Sequence, residues 1–280
     1  MLDSAKMIKL LVTNDEKTAL TEPMQDNDIP FFAIPTTSGT GSEATRYSIF
    51  YVNENEKYSI THSGFLPDFV LLDAEFLKTV PMYQRRCTAM DALCHAIESY
   101  WNVKSTDESK ALAKRAIELF VQNKDAYMNN EPDGNYGMMM ASYYAGKAID
   151  ITSTTSAHAM CYNITINCHT AHGHSISANL KEIWKDMNCH NDRVNDRRGR
   201  EYVLKTLDEI GVLLGGKNSA DGAVIFENLF NEFELSAPVA DESLVATFAE
   251  SVNPSRLLNN PTTLDKSDVL TIYRKVFNFE

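Results

Sequence analysis

A chain of 280 residues, 44% hydrophobic and 23% charged, has the make-up of a globular protein with room for one large domain or two ordinary ones. Its formal net charge of −12 excludes the basic footprint that nucleic-acid binding needs, and no apolar run is long enough to span a bilayer. Five cysteines without CxxC spacing, and no secretory signal, point to a reduced cytoplasmic protein in which the thiols serve as small buried hydrophobes.

Residues 1–11 read as a helix already under way, with apolar Leu2, Met7, Leu10 and Leu11 and no capping residue ahead of it, which suggests that something precedes it. Pro30-Phe-Phe-Ala-Ile-Pro35 is a short apolar run of the kind that forms a fully buried strand of a parallel sheet. The loop that follows, Thr36-Thr-Ser-Gly-Thr-Gly-Ser-Glu43, carries glycines that let backbone N–H groups approach a ligand and hydroxyls that add donors, which suits phosphate or pyrophosphate. Residues 47–52 and 58–61 predict a hairpin around the polar Asn53-Glu-Asn-Glu-Lys57, and Phe69-Val-Leu-Leu72 a further buried strand.

After Pro81 the pattern turns helical, so a boundary near residue 80 divides the chain into 1–80 and 81–280. Ser105-Thr-Asp-Glu108 reads as a capping box for a helix with Leu112, Ala116, Ile117 and Phe120 on its core face. Helices are also predicted over 136–149, 200–214, 223–233, 242–252 and 266–277, and the charged run 191–198 reads as a solvated segment.

The stretch Thr88-Ala-Met-Asp91-Ala-Leu-Cys-His95-Ala-Ile-Glu98 carries the chemistry. Met90, Cys94, Ile97 and Trp101 recur at helical spacing, so Asp91 and His95 project from one face a turn apart. Five of the seven histidines fall here or in Ala157-His158 and His169-Thr-Ala-His172-Gly-His174. One carboxylate with several imidazoles is a nitrogen and oxygen set suited to a divalent ion. Spacing alone leaves His169, His172 and His174 as alternatives, with Glu98 a competing carboxylate.

Taken together, Pro35-Thr-Thr-Ser-Gly-Thr-Gly-Ser-Glu43, Leu72-Asp73 leading to Pro81, Met90-Asp-Ala-Leu-Cys-His-Ala-Ile-Glu98, His158 fourteen residues before His172-Gly173, and Asn253-Pro with Asn259-Asn-Pro261 resemble the iron-containing (group III) alcohol dehydrogenases. The match runs in order along the chain. Glu43-Ala-Thr-Arg-Tyr47, Ile97-Glu-Ser-Tyr-Trp101, Ser105-Thr-Asp-Glu-Ser109 and His172-Gly-His174 are similar to the branch that reduces phosphonoacetaldehyde.

The resemblance implies a partial Rossmann-like α/β nucleotide-binding domain followed by an all-helical metal-binding domain, the dehydroquinate synthase-like fold. It implies Asp91, His95, His158 and His172 as ligands of Fe2+ or Zn2+, and Thr36, Thr37, Thr40, Lys57 and Asp3 as residues facing NAD(H) or NADP(H). Asp3 and Lys6 match the end of the family's glycine-rich segment, whose glycines would lie upstream of Met1. Tyr162 stands where many relatives have a proton-relaying histidine, and Lys181 replaces a common proline. Arg46, with His174 as a second donor, is the expected anchor for an anionic substrate, because a net-acidic protein must place a local cation to hold one. The expected activity is hydride transfer between NAD(P)H and a short aldehyde or primary alcohol by a homo-oligomer, with phosphonoacetaldehyde giving 2-hydroxyethylphosphonate. A general short-chain alcohol dehydrogenase and a catalytically silent metal-binding protein are the alternatives.

Overall fold

In the computed structural model, residues 2–15, 24–51 and 57–279 are described. Helix α1 (Leu2–Leu11) buries Met7 and Leu10 in a small cluster with Met24 and Phe65. Lys6 of this helix is fully buried, yet its ammonium donates to the carbonyls of Ser42 at 2.7 Å, Thr45 at 2.8 Å and Tyr47 at 2.8 Å. Those dipoles replace its lost water and clamp the Gly-rich loop onto the start of the hairpin.

Strands β1 (Phe32–Ala33) and β4 (Phe69–Val70) pair in parallel, while β2 (Tyr47–Tyr51) and β3 (Lys57–Thr61) form the expected antiparallel hairpin with Tyr47 opposite Thr61. The residues joining the hairpin lie outside the described ones. The parallel pairing matches the sequence, but the expected full burial of these two strands does not hold. Phe31 and Ala33 point inward, whereas Phe32 and Phe69 are 62% and 58% exposed and stack on each other at 4.7 Å. An unbroken apolar run hides this because it carries no alternation to mark an outer face.

From Met82 onward the chain is helical: α2 (Met82–Trp101), α3 (Asp107–Met128), α4 (Pro132–Thr152), α5 (Ser156–Asn167), α6 (His172–Cys189), α7 (Arg200–Leu213), α8 (Ser219–Glu232), α9 (Glu242–Ser251), α10 (Pro254–Leu257) and α11 (Lys266–Val276). An α/β segment thus precedes an all-helical one. The cap of α3 lies one residue later than expected, with Thr106 and Ser109 exchanging the two capping bonds. Helix α2 is the axis of the bundle, packed by α3, α4 and α6, and every residue from Ala89 to Asn102 is buried. A helix buried all round keeps polar side chains inside only if each finds a partner, and that singles out Asp91, His95 and Glu98.

The run 191–198 is solvated only in part: Asp192, Arg197 and Arg198 are exposed, but Asp196 is buried. Arg198 holds Asp196 at 2.6 Å and donates to the carbonyls of Asn102 at 2.8 Å and Ser105 at 2.9 Å, stapling the α2–α3 turn. The thiols also depart in part from expectation: Cys87, Cys94 and Cys161 are buried, but Cys168 is half-buried and Cys189 exposed. No helix among the described residues is long and apolar enough to cross a membrane.

Candidate functional site

Asp91 and His95 sit one turn apart on α2, and the burial of that helix turns them toward α5 and α6 rather than toward water. Helix α5 brings in His158 near its start, and α6 begins at His172. The glycine after His172 makes this junction possible. A Cβ on Gly173 would lie 2.0 Å from the Cys87 carbonyl and 2.9 Å from Asp91 Cβ, so only glycine allows α6 to begin against α2. Ligand atoms of Asp91, His158 and His172 consequently fall within 4.8 Å of one another. His95 joins them, its Nε2 2.9 Å from His158 Nε2 and 3.9 Å from Asp91 Oδ1.

The tautomers follow from what surrounds the rings. Nδ1 of His95 faces the Gly39 carbonyl at 3.3 Å, and Nδ1 of His158 meets the Glu98 carboxylate, so both Nδ1 atoms carry hydrogen and both Nε2 atoms present lone pairs. Two lone pairs 2.9 Å apart repel unless a metal ion or a proton lies against both. Asp91 Oδ1 is buried beside them without a hydrogen-bond partner, at a cost of about 1–3 kcal/mol for an unsatisfied group, and more when it is charged. An orphaned carboxylate oxygen facing unprotonated imidazole nitrogens fits a divalent metal.

Electrostatics agree. Burial would push the Asp91 carboxyl up, but His95, His158 and His172 hold it well below the carboxylate range. Burial pushes His95 down. It would do the same to His158, yet Glu98 and Asp91 outweigh it and lift that imidazole to about 9, so a proton on Nε2 and a metal ion compete to meet the site's demand for positive charge.

Glu98 is the residue the sequence undervalued. It is fully buried and accepts from Thr155 N at 3.0 Å, Thr155 Oγ1 at 2.7 Å and Ala157 N at 3.1 Å while orienting His158. Its signal was a carboxylate on the same helix three residues after His95. That spacing suits a competing ligand and a ligand's support alike, and the fold makes it the support. His169, exposed and with φ +53° in the turn between α5 and α6, is not drawn into the cluster.

These side chains open on a cavity of about 630 Å³, whose opposite wall is the start of α1 with the loop and hairpin of the N-terminal part, including Asp3, Thr40, Ser42, Tyr47 and Thr61. Of the residues expected to face a dinucleotide, Asp3 and Thr40 line it. Thr36 and Thr37 do not, and the Lys57 side chain lies outside the described residues. The loop glycines also have a reason other than a ligand. A Cβ on Gly39 would lie 2.8 Å from that of Thr88, and Gly41, at φ +57°, touches Gly146 of α4. Both let the loop lie on the helices, which is how the Gly39 carbonyl reaches His95.

The expected substrate anchors are placed differently. Arg46 does not line the cavity, and its Nε pairs with Asp150 at 3.0 Å while Nη2 donates to the Asp150 carbonyl. His174 uses both ring nitrogens structurally, Nδ1 with Tyr83 Oη at 2.9 Å and Nε2 with the Ser236 carbonyl at 2.7 Å. Asp150 lies 104 residues from Arg46, so nothing local in the sequence announces the pair. Tyr162 does line the cavity, stacked 6.4 Å from His172, and accepts a 2.5 Å hydrogen bond from Arg256. Burial pushes its phenol up. Arg256 and Lys104, which the sequence reading passed over, are the cations along this cavity among the described residues.

Family models match in two stretches: one for the iron-containing alcohol dehydrogenases over residues 1–74, and one for the C-terminal part of the Fe-containing alcohol dehydrogenase family over residues 86–277. The phosphonoacetaldehyde reductase of Streptomyces viridochromogenes is 29% identical over 246 residues, covering 85% of this chain and 61% of its own length. An iron-containing alcohol dehydrogenase from Thermotoga maritima superposes with a TM-score of 0.83 at 26% identity, over 99% of this chain and 72% of that one. The sulfoacetaldehyde reductase of Bifidobacterium kashiwanohense, solved in complex with NAD+, has the same fold, with a TM-score of 0.86 at 24% identity over 100% of this chain and 74% of that one.

Proposed function

Because the chain belongs to the iron-containing alcohol dehydrogenase family, we propose that it is a metal- and NAD(P)H-dependent reductase of short aldehydes, with phosphonoacetaldehyde the first substrate to test. The observation that carries this reading is the orphaned Asp91 Oδ1 facing three imidazoles in a cavity whose other wall holds Asp3 and Thr40. Asp91, His95, His158 and His172 would hold one divalent ion, iron before zinc given the family. When bound, that ion polarises a carbonyl oxygen and a reduced nicotinamide supplies hydride. The protein's part is positional. Glu98 and the Gly39 carbonyl fix the imidazoles, Asp3 and Thr40 face the dinucleotide, and the α/β wall of residues 1–80 closes over the helical unit of 81–280. Tyr162, the residue we assign to the proton route, accepts from Arg256, and its raised pKa keeps its own hydrogen in place at neutral pH.

Metal analysis and steady-state kinetics test this together. The wild type should carry one ion per chain and reduce short aldehydes. Asp91→Ala combined with His172→Ala should lose the ion and, with it, rate on the order of 10³-fold, since a Lewis acid contributes several kcal/mol to such a step. Stoichiometric metal persisting in the double variant would sink the assignment.

A further inference from the structure

We propose that Arg256, assisted by Lys104, holds the anionic tail of the aldehyde, a phosphonate or sulfonate two carbons from the carbonyl; this rests on the aldehyde-reductase reading above. Among the described residues, these two cations line the cavity, and no carboxylate pairs with either, in contrast to Arg46 on Asp150.

Their position suits the task. Arg256 Nη1 donates to Tyr162 Oη at 2.5 Å, and its guanidinium carbon lies 5.3 Å from the centre of that ring. The same ring stacks on His172 at 6.4 Å and 25°. Arg256 therefore stands one aromatic ring away from an imidazole of the metal cluster, on the wall where a short aldehyde with its carbonyl at the cluster would place its anion. One N–H of Arg256 is spent on Tyr162, and the others remain as a fork for two oxygens of a tetrahedral anion. Lys104 is held on the same wall, because the Val103 amide donates to the Asn259 carbonyl at 3.1 Å while Asn259 Nδ2 ties to the Thr154 carbonyl at 3.0 Å. A chain of net charge −12 repels an anion everywhere that such cations are lacking.

The test compares phosphonoacetaldehyde, sulfoacetaldehyde and propanal on metal-loaded wild type, Arg256→Gln, Lys104→Gln and Arg46→Gln, with NADH varied separately. Arg256→Gln should lose roughly 10- to 100-fold more in kcat/KM on the anionic aldehydes than on propanal, the worth of one charge-assisted contact, while the loss on propanal reports the Tyr162 contact alone. Lys104→Gln, at an exposed position, should lose roughly threefold on the anionic aldehydes. Arg46→Gln should leave the preference intact, and the KM for NADH should not move in any of the three. The ranking of the two anionic aldehydes says which anion the fork prefers. Equal losses on propanal would make Arg256 a support for Tyr162 alone; a raised KM for NADH would give the cation to the dinucleotide; a lost preference in Arg46→Gln would return the role there. Each result overturns the proposal. Calorimetry with ethylphosphonate, which has the anion and no carbonyl, separates this idea from the reductase reading. Wild type that reduces no aldehyde yet binds ethylphosphonate, with binding lost in Arg256→Gln, refutes the activity and keeps the subsite. No ethylphosphonate binding to wild type refutes the subsite.

Discussion

The two walls of the cavity face the same space but are made in different ways. On the helical side, the polar groups that α2 and α5 turn inward at the site are buried and mostly paired, down to the five contacts that fix Glu98. On the other side, the loop and hairpin rest on two two-stranded sheets, keep aromatic faces in solvent, and are held down by one buried lysine and two tightly packed glycines. The difference teaches where precision is needed. Groups that must converge within a few ångströms sit on rigid helices. Groups that face a larger, more forgiving ligand sit on a loop whose backbone is shaped by the helices beneath it.

The largest effect should come from striking the helical wall where its packing and its polar network meet. Trp101 is buried, packs edge-on to Trp184 at 5.7 Å, and donates from Nε1 to Thr155 Oγ1 at 3.1 Å, the hydroxyl that in turn reaches Glu98. Trp101→Ala should cost about 3–5 kcal/mol of stability. Phe32→Ala, on the exposed face of β1, should stay within about 0.5 kcal/mol. Urea unfolding of both variants checks the contrast. A Phe32→Ala cost approaching that of Trp101→Ala would mean that the strand face is covered in solution and that the walls are more alike than they look.

Next in size is a change that keeps every atom of the helical wall in place. Glu98→Gln preserves shape but offers His158 Nδ1 an amide that can accept only weakly, so His158 loses the partner that sets its tautomer. Metal affinity should fall about 10- to 100-fold with little change in fold. Competition with a chelating dye measures it. Unchanged affinity would show that Thr155 and the backbone suffice to aim the ring.

Sequence alone reached much of this because some signals are local. The i,i+4 spacing of Asp91 and His95 and the apolar period of α2 and α3 need no partner to be read, and the family resemblance supplied His158 and His172. Other features depended on where distant segments meet. Helix α5 escapes a sequence reading because it is buried on most sides, which erases the amphipathic period, and α6 because it opens on His172-Gly-His-Ser175, a poor helix start that reads as a ligand cluster. The Arg46–Asp150 pair, the Arg198 staple and the Arg256–Tyr162 bond each join segments that no window of sequence contains, so which cations are already paired is legible only in three dimensions.

The smallest expected effect belongs to the loop wall and tests how dry it is. Burial pushes the Glu43 carboxyl up to about 7 from an ordinary 4.5, with nearby Lys6 opposing, and burial pushes the Lys6 ammonium down to about 8. The signs follow from which state holds the proton. Between 4.5 and 7 the folded protein keeps a proton on Glu43 that the unfolded chain has released, so this group's contribution is full below 4.5 and is lost as pH rises to 7. Between 8 and 10.5 the unfolded chain keeps a proton on Lys6 that the folded one has released, so stability rises again. Together they place a shallow minimum between 7 and 8. With allowance for relaxation and water penetration, the fall on its acid side should amount to about 1 kcal/mol. Urea midpoints taken across this range should trace it, and Glu43→Gln should flatten the acid limb and, by removing a charge that raises the Lys6 pKa, move the basic limb to slightly lower pH. A wild-type profile already flat between 4.5 and 7, once other carboxylates are subtracted through the variant, would mean that water reaches Glu43. The loop wall would then be open in solution, and the tight seating of Gly39 and Gly41 on the helices would describe only part of its population.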